Sequence, residues 1–238
     1  MRSAAPPTVG WTGAAEPYAA ALRAGRGPLF LRRDDGWLLP LEVERWCAGP
    51  DAADWSVLRR CCGPVLDVGC GPGRLVAALG RLGLPALGID VSAVAVERAN
   101  AGGGCALRRS VFEPLPGEGR WGTVLLMDGN VGIGGDVAAL LARVRSLVGV
   151  GGVCVVEVQG CEVDERVRVA VWDGVGVGGG PVFPWARVGE GALLRYAVGW
   201  ECPRGWAWSS GGRRFVALRA GVGCASGAGP LRDNSEKP

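Results

Sequence analysis

The chain has 238 residues, enough to bury a core without help from a metal or disulfides, and no stretch of it approaches the ~18 uninterrupted apolar residues of a membrane span. Its formal charge is +3, and its arginines are scattered rather than gathered into a stripe with interleaved aromatics, so a nucleic-acid partner is not expected. It has no histidine, and its nine cysteines form no C-x-x-C pair, so a metal site is not expected and the commonest general base is missing.

An odd number of dispersed cysteines reads as reduced thiols packed as small hydrophobes. No basic start followed by an apolar run marks a secretion signal, and a cytoplasmic location is expected.

Residues 1–14 are small and Pro-rich and read as an arm. A short helix is expected from Tyr18 to Arg23, a turn at Asp34-Asp35-Gly36, a helix from Leu41 to Trp46 with Pro40 in its first turn, and another helix capped by Asp51. Trp37, Trp46 and Trp55 fall in this part. Core packing and a cap over a binding site are both open readings for them.

Residues 64–74 read Pro-Val-Leu-Asp-Val-Gly-Cys-Gly-Pro-Gly-Arg, an apolar strand running into a turn with Gly69, Gly71 and Gly73 at alternate positions. Glycines there allow positive φ and let main chain approach a ligand. A dinucleotide fingerprint needs G-x-G-x-x-G, and Arg74 stands where its third glycine belongs. Leu75, Ala78, Leu79 and Leu82 follow at the spacing of one buried helix face, with the helix N-terminus aimed at the turn.

A second strand, Ala86 to Asp90, ends in an acid and is followed by a helix that Ser92 caps. A third, Cys105 to Arg109, leads into Ser110-Val111-Phe112. A fourth, Thr123 to Met127, leads into Asp128-Gly129-Asn130 and a glycine-rich loop. Asp136 then caps a helix carrying Val137, Leu140, Leu141, Val144 and Leu147 at clean spacing. Val153 to Val158 is an apolar run suited to a strand buried on both faces, with Glu157 near its end.

The D-x-G-x-G-x-G pattern carried by Asp67, Gly69, Gly71 and Gly73, together with Asp90, the Ser110-Val111 edge and Asp128 in that order, resembles the class I S-adenosylmethionine-dependent methyltransferases over roughly residues 60–158. The resemblance implies a Rossmann-like, seven-stranded, mostly parallel sheet with helices on both faces, a C-terminal antiparallel hairpin and an N-terminal helical cap. The corresponding division of the chain is residues 1–60 for arm and cap, 61–220 for the cofactor-binding domain and 221–238 for a tail.

It also implies S-adenosyl-L-methionine as cofactor, S-adenosyl-L-homocysteine as product and a small-molecule methyl acceptor. The cofactor-binding residues would be Asp67, Gly69, Cys70, Gly71, Gly73, Asp90, Val91, Ser110, Val111 and Asp128. Asp90 would take the ribose hydroxyls, Ser110 and Val111 the adenine, while Asp67 would orient the turn. Ser110 departs from the acid usual at its position. Asp128 and Asn130 are the catalytic candidates, near the transferable methyl. Arg45 is a candidate for the ligand carboxylate, and Asp128 or Glu162 a candidate base if the acceptor is an alcohol or phenol; a neutral amine would need none.

Toward the C-terminus, Arg166 to Trp172 alternates valine with arginine and reads as a half-exposed strand or lid on the substrate side. Gly174 to Gly180 reads as a flexible connection. Phe183-Pro184-Trp185 lines the pocket or packs, a short helix covers Ala192 to Val198, and Gly205 to Leu218 contains a hairpin. Two other functions share these features: a non-catalytic S-adenosylmethionine-binding protein, and a nicotinamide-dependent oxidoreductase on a related sheet.

Overall fold

The computed structural model describes residues 15–175 and 180–221. Expectations for the N-terminal arm, the middle of the Gly174–Gly180 run, Cys224 and the C-terminal tail fall outside that range. The chain opens with helix α1 (Ala15–Ala24), a hairpin of β1 (Phe30–Arg32) and β2 (Leu38–Pro40), and helices α2 (Val43–Cys47) and α3 (Ala52–Leu58). Asp51 caps α3 by accepting from the Asp54 N–H at 2.7 Å, and the Asp54 carboxylate accepts from the Asp51 N–H at 3.2 Å in return.

Strands and helices then alternate except between β5 and β6, which a loop joins: β3 (Val65–Val68), α4 (Arg74–Arg81), β4 (Ala86–Asp90), α5 (Ala93–Ala101), β5 (Ala106–Arg108), β6 (Trp121–Leu126), α6 (Val137–Leu147) and β7 (Val148–Val158). The chain continues through β8 (Asp164–Trp172), β9 (Phe183–Val188), α7 (Glu190–Tyr196), β10 (Trp200–Glu201), β11 (Ala207–Ser210) and β12 (Arg213–Ala220).

The main sheet has the order β10-β12-β7-β6-β3-β4-β5, with β11 paired on β12 as the eighth strand. Strands β3 to β7 run parallel and β12 is antiparallel to β7, as the Rossmann-like reading requires. The order reverses between β3 and β6, so the crevice outside their C-terminal ends is where such a sheet takes its ligand.

Successive residues of β6 face opposite layers. Val124 and Leu126 pack with Leu140, Leu141 and Val144 of α6, whereas Leu125 packs with Val57 of α3 and Leu75 and Leu79 of α4. Ser92 and Asp136 cap α5 and α6 as expected. Leu82 departs from the expected buried face of α4: it is the C-cap residue and is half exposed, because the helix ends at Arg81 before the face comes round again.

The N-terminal cap is not wholly helical. The β1–β2 hairpin joins β8 and β9 in a separate antiparallel sheet of order β2-β1-β8-β9. The pairing buries Leu31, Val169, Val171 and Phe183 against Tyr18 and Leu22 of α1 in one cluster. Pro40, expected in the first turn of a helix, ends the edge strand β2, where a missing N–H breaks no interior ladder. Among the described residues no helix is long and apolar enough to cross a membrane.

Candidate active site

The turn after β3 is built by three left-handed glycines, at φ 72° for Gly69, 54° for Gly71 and 85° for Gly73. Each has a different reason to lack a side chain. A Cβ on Gly69 would lie 2.6 Å from Nδ2 of Asn130, whose amide donates to the carbonyls of Val68 (2.8 Å) and Gly69 (3.0 Å). A Cβ on Gly73 would lie 2.5 Å from the Cβ of Ala99, so this glycine lets the turn press on α5. A Cβ on Gly71 would meet nothing nearer than Oη of Tyr18 at 3.6 Å; the space before it is cavity.

That cavity has a volume of about 590 Å³ and lies outside the C-terminal ends of β3, β4 and β6. Of the residues expected from the sequence, Gly69, Cys70, Gly71, Asp90, Val91, Ser110, Val111, Asp128 and Asn130 line it. Asp67 and Gly73 stand behind its wall.

Asp90 is buried, and its carboxylate accepts from the Gly71 N–H at 3.0 Å and the Ser92 N–H at 2.8 Å, with the Val91 N–H also acting on it. Burial raises its pKa to about 6, with those N–H groups pulling the other way. Asp67 is more enclosed still, and burial raises it to about 7. Next along the wall, Ser110 Oγ accepts from the Phe112 N–H at 3.3 Å and the Ser110 N–H donates to Glu113 at 2.7 Å. Glu113 was not anticipated as a cavity residue.

Asp128 departs from the role of base. It is the single non-glycine residue with positive φ (56°) among those described, and its N–H donates to Glu157 at 2.7 Å. Its carboxylate accepts four hydrogen bonds from three guanidiniums: Arg45 at 2.8 Å, Arg74 at 2.8 and 3.1 Å, and Arg213 at 3.2 Å. Burial works to raise its pKa, but Arg74 first and then Arg45 and Arg213 hold it below the usual carboxylate range. A carboxylate so occupied is a weak proton acceptor.

Asn130 likewise has its amide nitrogen bonded to the turn, which makes it a positioning residue. Arg45, expected to face a ligand carboxylate, bonds Asp128 and Glu42 instead. Glu162 is not on the cavity; it lies by Gly191 at the start of α7.

The cluster around Asp128 continues inward. Arg74 bonds both oxygens of the fully buried Asp54, at 2.9 and 3.1 Å, and Arg213 bonds Asp54 at 2.8 Å and Glu157 at 2.6 and 2.8 Å. Burial pushes Asp54 upward, yet its two arginines bring it down to about 2. Arg74, Asp54, Glu157 and Arg213 were not singled out as site residues from the sequence. The visible signal was an acid, Glu157, inside an otherwise apolar strand.

Beneath the four-stranded sheet the cavity wall changes character. Leu31, Leu41, Trp46, Phe183 and Trp185 line it together with Tyr18 of α1. The Tyr18 and Trp46 rings lie 6.3 Å apart and tilted, and those of Phe183 and Trp185 lie 6.2 Å apart, edge to face. Burial, then the neighbouring Asp90, holds the Tyr18 phenol neutral. Of the aromatic residues suspected of capping a site, Trp46 and Trp185 reach the cavity; Trp37 and Trp55 do not.

Residues 40–184 match the model of a methyltransferase-domain family. No curated protein matches the sequence. The structure superposes on a S-adenosylmethionine-dependent methyltransferase from Bacteroides fragilis, solved in complex with S-adenosyl-L-homocysteine, with a TM-score of 0.71 at 19% identity, covering 88% of this chain and 97% of that one. It also superposes on the CcbJ methyltransferase from Streptomyces caelestis (TM-score 0.52, 18% identity, 71% of this chain and 94% of that one). A third match is the 1,6-didemethyltoxoflavin-N1-methyltransferase from Burkholderia thailandensis (TM-score 0.50, 19% identity, 71% and 79%).

Proposed function

The chain belongs to the S-adenosylmethionine-dependent methyltransferases, and we propose that it moves the methyl group to an oxygen or nitrogen atom of a small molecule, chiefly by holding donor and acceptor in reacting geometry. One observation carries the reading: the space that a side chain on Gly71 would fill opens, within one cavity, both onto the buried Asp90 carboxylate and onto the apolar chamber under the second sheet.

The residues fit the cofactor. Asp90 is held by backbone N–H groups and, among the described residues, bonds no cation, so its oxygens keep lone-pair capacity for a ribose hydroxyl. Gly69 to Gly71 expose main chain to the amino-acid part, Asn130 clips that turn in place, and Ser110 and Val111 form the adenine edge. S-adenosylmethionine, when bound, supplies the methyl group and a sulfur leaving group already activated by its charge. The protein therefore needs no nucleophile of its own. Its work is to bind, align and exclude water, and Asp128 with its arginines makes a rigid floor.

The cap is drawn from two parts of the chain, residues 15–60 and β8–β9, with the rest up to residue 220 as the cofactor-binding domain. The Burkholderia relative named for methylating 1,6-didemethyltoxoflavin is in keeping with a small acceptor. A reducing cytoplasm suits the nine cysteines.

The test is the melting temperature with S-adenosylhomocysteine or NADP present. A hundredfold excess of the first over its Kd stabilises by roughly 2.7 kcal/mol, and NADP has no effect. Stabilisation by NADP instead would overturn the reading. Tight cofactor binding without transfer to any acceptor of a biosynthetic panel would reduce the protein to a binder.

A further inference from the structure

The chamber under the second sheet restricts what the acceptor can be. Alcohols, phenols, thiols and carbon acids each lose a proton before or during methyl transfer, so each needs a base nearby. The cavity offers four carboxylates. Asp128 is bonded to three arginines. Asp90 belongs to the glycine turn. Glu113 accepts from the Ser110 N–H on the cofactor side, and Asp136, in the loop whose Gly135 packs on Pro184, is already committed: it caps α6 and lies 3.7 Å from Arg166 of β8. The Tyr18 phenol and the Cys70 thiol are held protonated by burial.

A carboxylate or phosphate acceptor needs no base but does need a cation, and the floor has none to spare. Arg74 is divided between Asp54 and Asp128, Arg213 among Asp54, Asp128 and Glu157, and Arg45 between Asp128 and Glu42. Three guanidiniums face three enclosed carboxylates, which leaves no surplus positive charge. Arg108 and Arg109 also line the cavity, but they stand at the end of β5 beside Ser110, on the cofactor side, where Arg108 bonds the Val91 carbonyl.

We propose that the acceptor is a neutral amine on an aromatic or aliphatic frame, seated under the four-stranded sheet by Trp46, Phe183 and Trp185. The inference rests on the methyltransferase reading above. The amine lone pair forms the new N–C bond to the methyl carbon as the C–S bond breaks and its electron pair stays on sulfur; the ammonium then releases its proton to water. Aromatic walls suit both partners, since ring faces attract the cationic charge that passes from sulfur to nitrogen.

The experiment gives the full chain S-adenosylmethionine with matched sets of benzyl, naphthyl and cyclohexyl compounds, each as amine, alcohol or phenol, and carboxylate, and reads product by mass. The amine of at least one frame gains a methyl group at least a hundredfold faster than its oxygen counterparts. For two amines of different basicity, the acid limb of kcat/KM moves with the pKa of each amine, falling tenfold per pH unit below it. Quenching of tryptophan fluorescence by the amine is read without cofactor. Trp185→Leu, or Phe183→Leu should the first not fold, weakens that binding at least tenfold and leaves the Kd for S-adenosylhomocysteine unchanged.

Faster methylation of a phenol or carboxylate, a limb that stays at one pH for both amines, or no amine bound or methylated by a protein that does bind S-adenosylhomocysteine would each overturn the proposal. Failure to bind S-adenosylhomocysteine would overturn the underlying reading instead.

Discussion

Four enclosed carboxylates surround the glycine turn, and burial has opposite outcomes for the two pairs. Among the described residues Asp67 and Asp90 have no guanidinium bonded to them, and burial pushes them up to about 7 and about 6. Asp54, which is likewise closed to solvent, is brought down to about 2, and Asp128 is lowered as well. Depth alone therefore does not set the charge state; the partner does. The difference divides labour. Asp90 keeps lone pairs and a readily altered charge on the cavity, and Asp67 stands behind the wall with Arg74 near enough only to temper its rise, whereas the arginine-bound pair is a fixed ionic joint between α2, α3, α4, β7 and β12.

The comparison is broken most severely by Asp54→Ala. Removing one partner of a buried ionic cluster leaves Arg74 and Arg213 short of charge and costs about 3–5 kcal/mol, a fall of roughly 10 °C in Tm for a chain of this size. Asp54 has a depressed pKa, so its contribution is present above the ordinary carboxylate pKa and is lost as pH falls from about 4 toward about 2. The variant lacks that acid limb. An unchanged Tm at neutral pH would show that the cluster is a surface-like decoration.

Asp67→Asn has the opposite sign. The folded state holds this carboxyl protonated up to about pH 7, so its contribution is complete below about 4 and is lost as pH rises to about 7. An amide stays neutral throughout. The variant is therefore more stable than the parent, by a margin that opens between about pH 4 and 7 and reaches at most roughly 4 kcal/mol. Melting curves at three pH values across that window check it; a margin independent of pH would refute the buried-acid account.

The two pairs also differ in how well the sequence displayed them. The glycine turn and Asp90 belong to a single β3-α4-β4 unit, so spacing alone reveals them, and the Gly71–Asp90 contact spans only 19 residues. The ionic joint is assembled across the fold: Arg74 to Asp128 spans 54 residues, Arg45 to Asp128 83, and Arg213 to Asp54 159. No local periodicity brings those positions together, which is why the three arginines around Asp128 were not foreseen when it was named a candidate base for an alcohol or phenol acceptor. The second sheet was hidden for the same reason. Its strand β1 pairs with β8, and a three-residue strand such as Phe30–Arg32 acquires its identity only from that distant partner.

A sharper probe of the cradle beside Asp90 is Gly71→Val. Its Cβ would meet no backbone, so the folded chain bears mainly the strain of φ 54°, about 1–2 kcal/mol, while the side chain fills the cradle. Affinity for S-adenosylhomocysteine is expected to fall at least a hundredfold, measured by titration calorimetry. Gly73→Val, with Ala99 only 2.5 Å from the new Cβ, is expected to fail at folding instead. Similar binding by Gly71→Val and the parent would place the ligand elsewhere.

The smallest effect is also the most specific to Asp90. Ribose hydroxyls donate to a carboxylate, so binding favours its ionised form and lowers its pKa in the complex. With the free-state pKa raised to about 6, the competent fraction shrinks from nearly all at pH 7.5 to about a quarter at pH 5.5, and affinity for S-adenosylhomocysteine drops roughly fourfold. The groups facing this carboxylate are the N–H donors of Gly71, Val91 and Ser92 and the neutral Tyr18 phenol of α1, and among the described residues no arginine bonds it to hold its charge as Asp128 is held. Asp90→Asn removes the titration, so its weaker binding is expected to stay level over the same range. A parent protein whose affinity is equally level would mean that Asp90 keeps its charge well below pH 6, and the contrast between the two pairs of carboxylates would disappear.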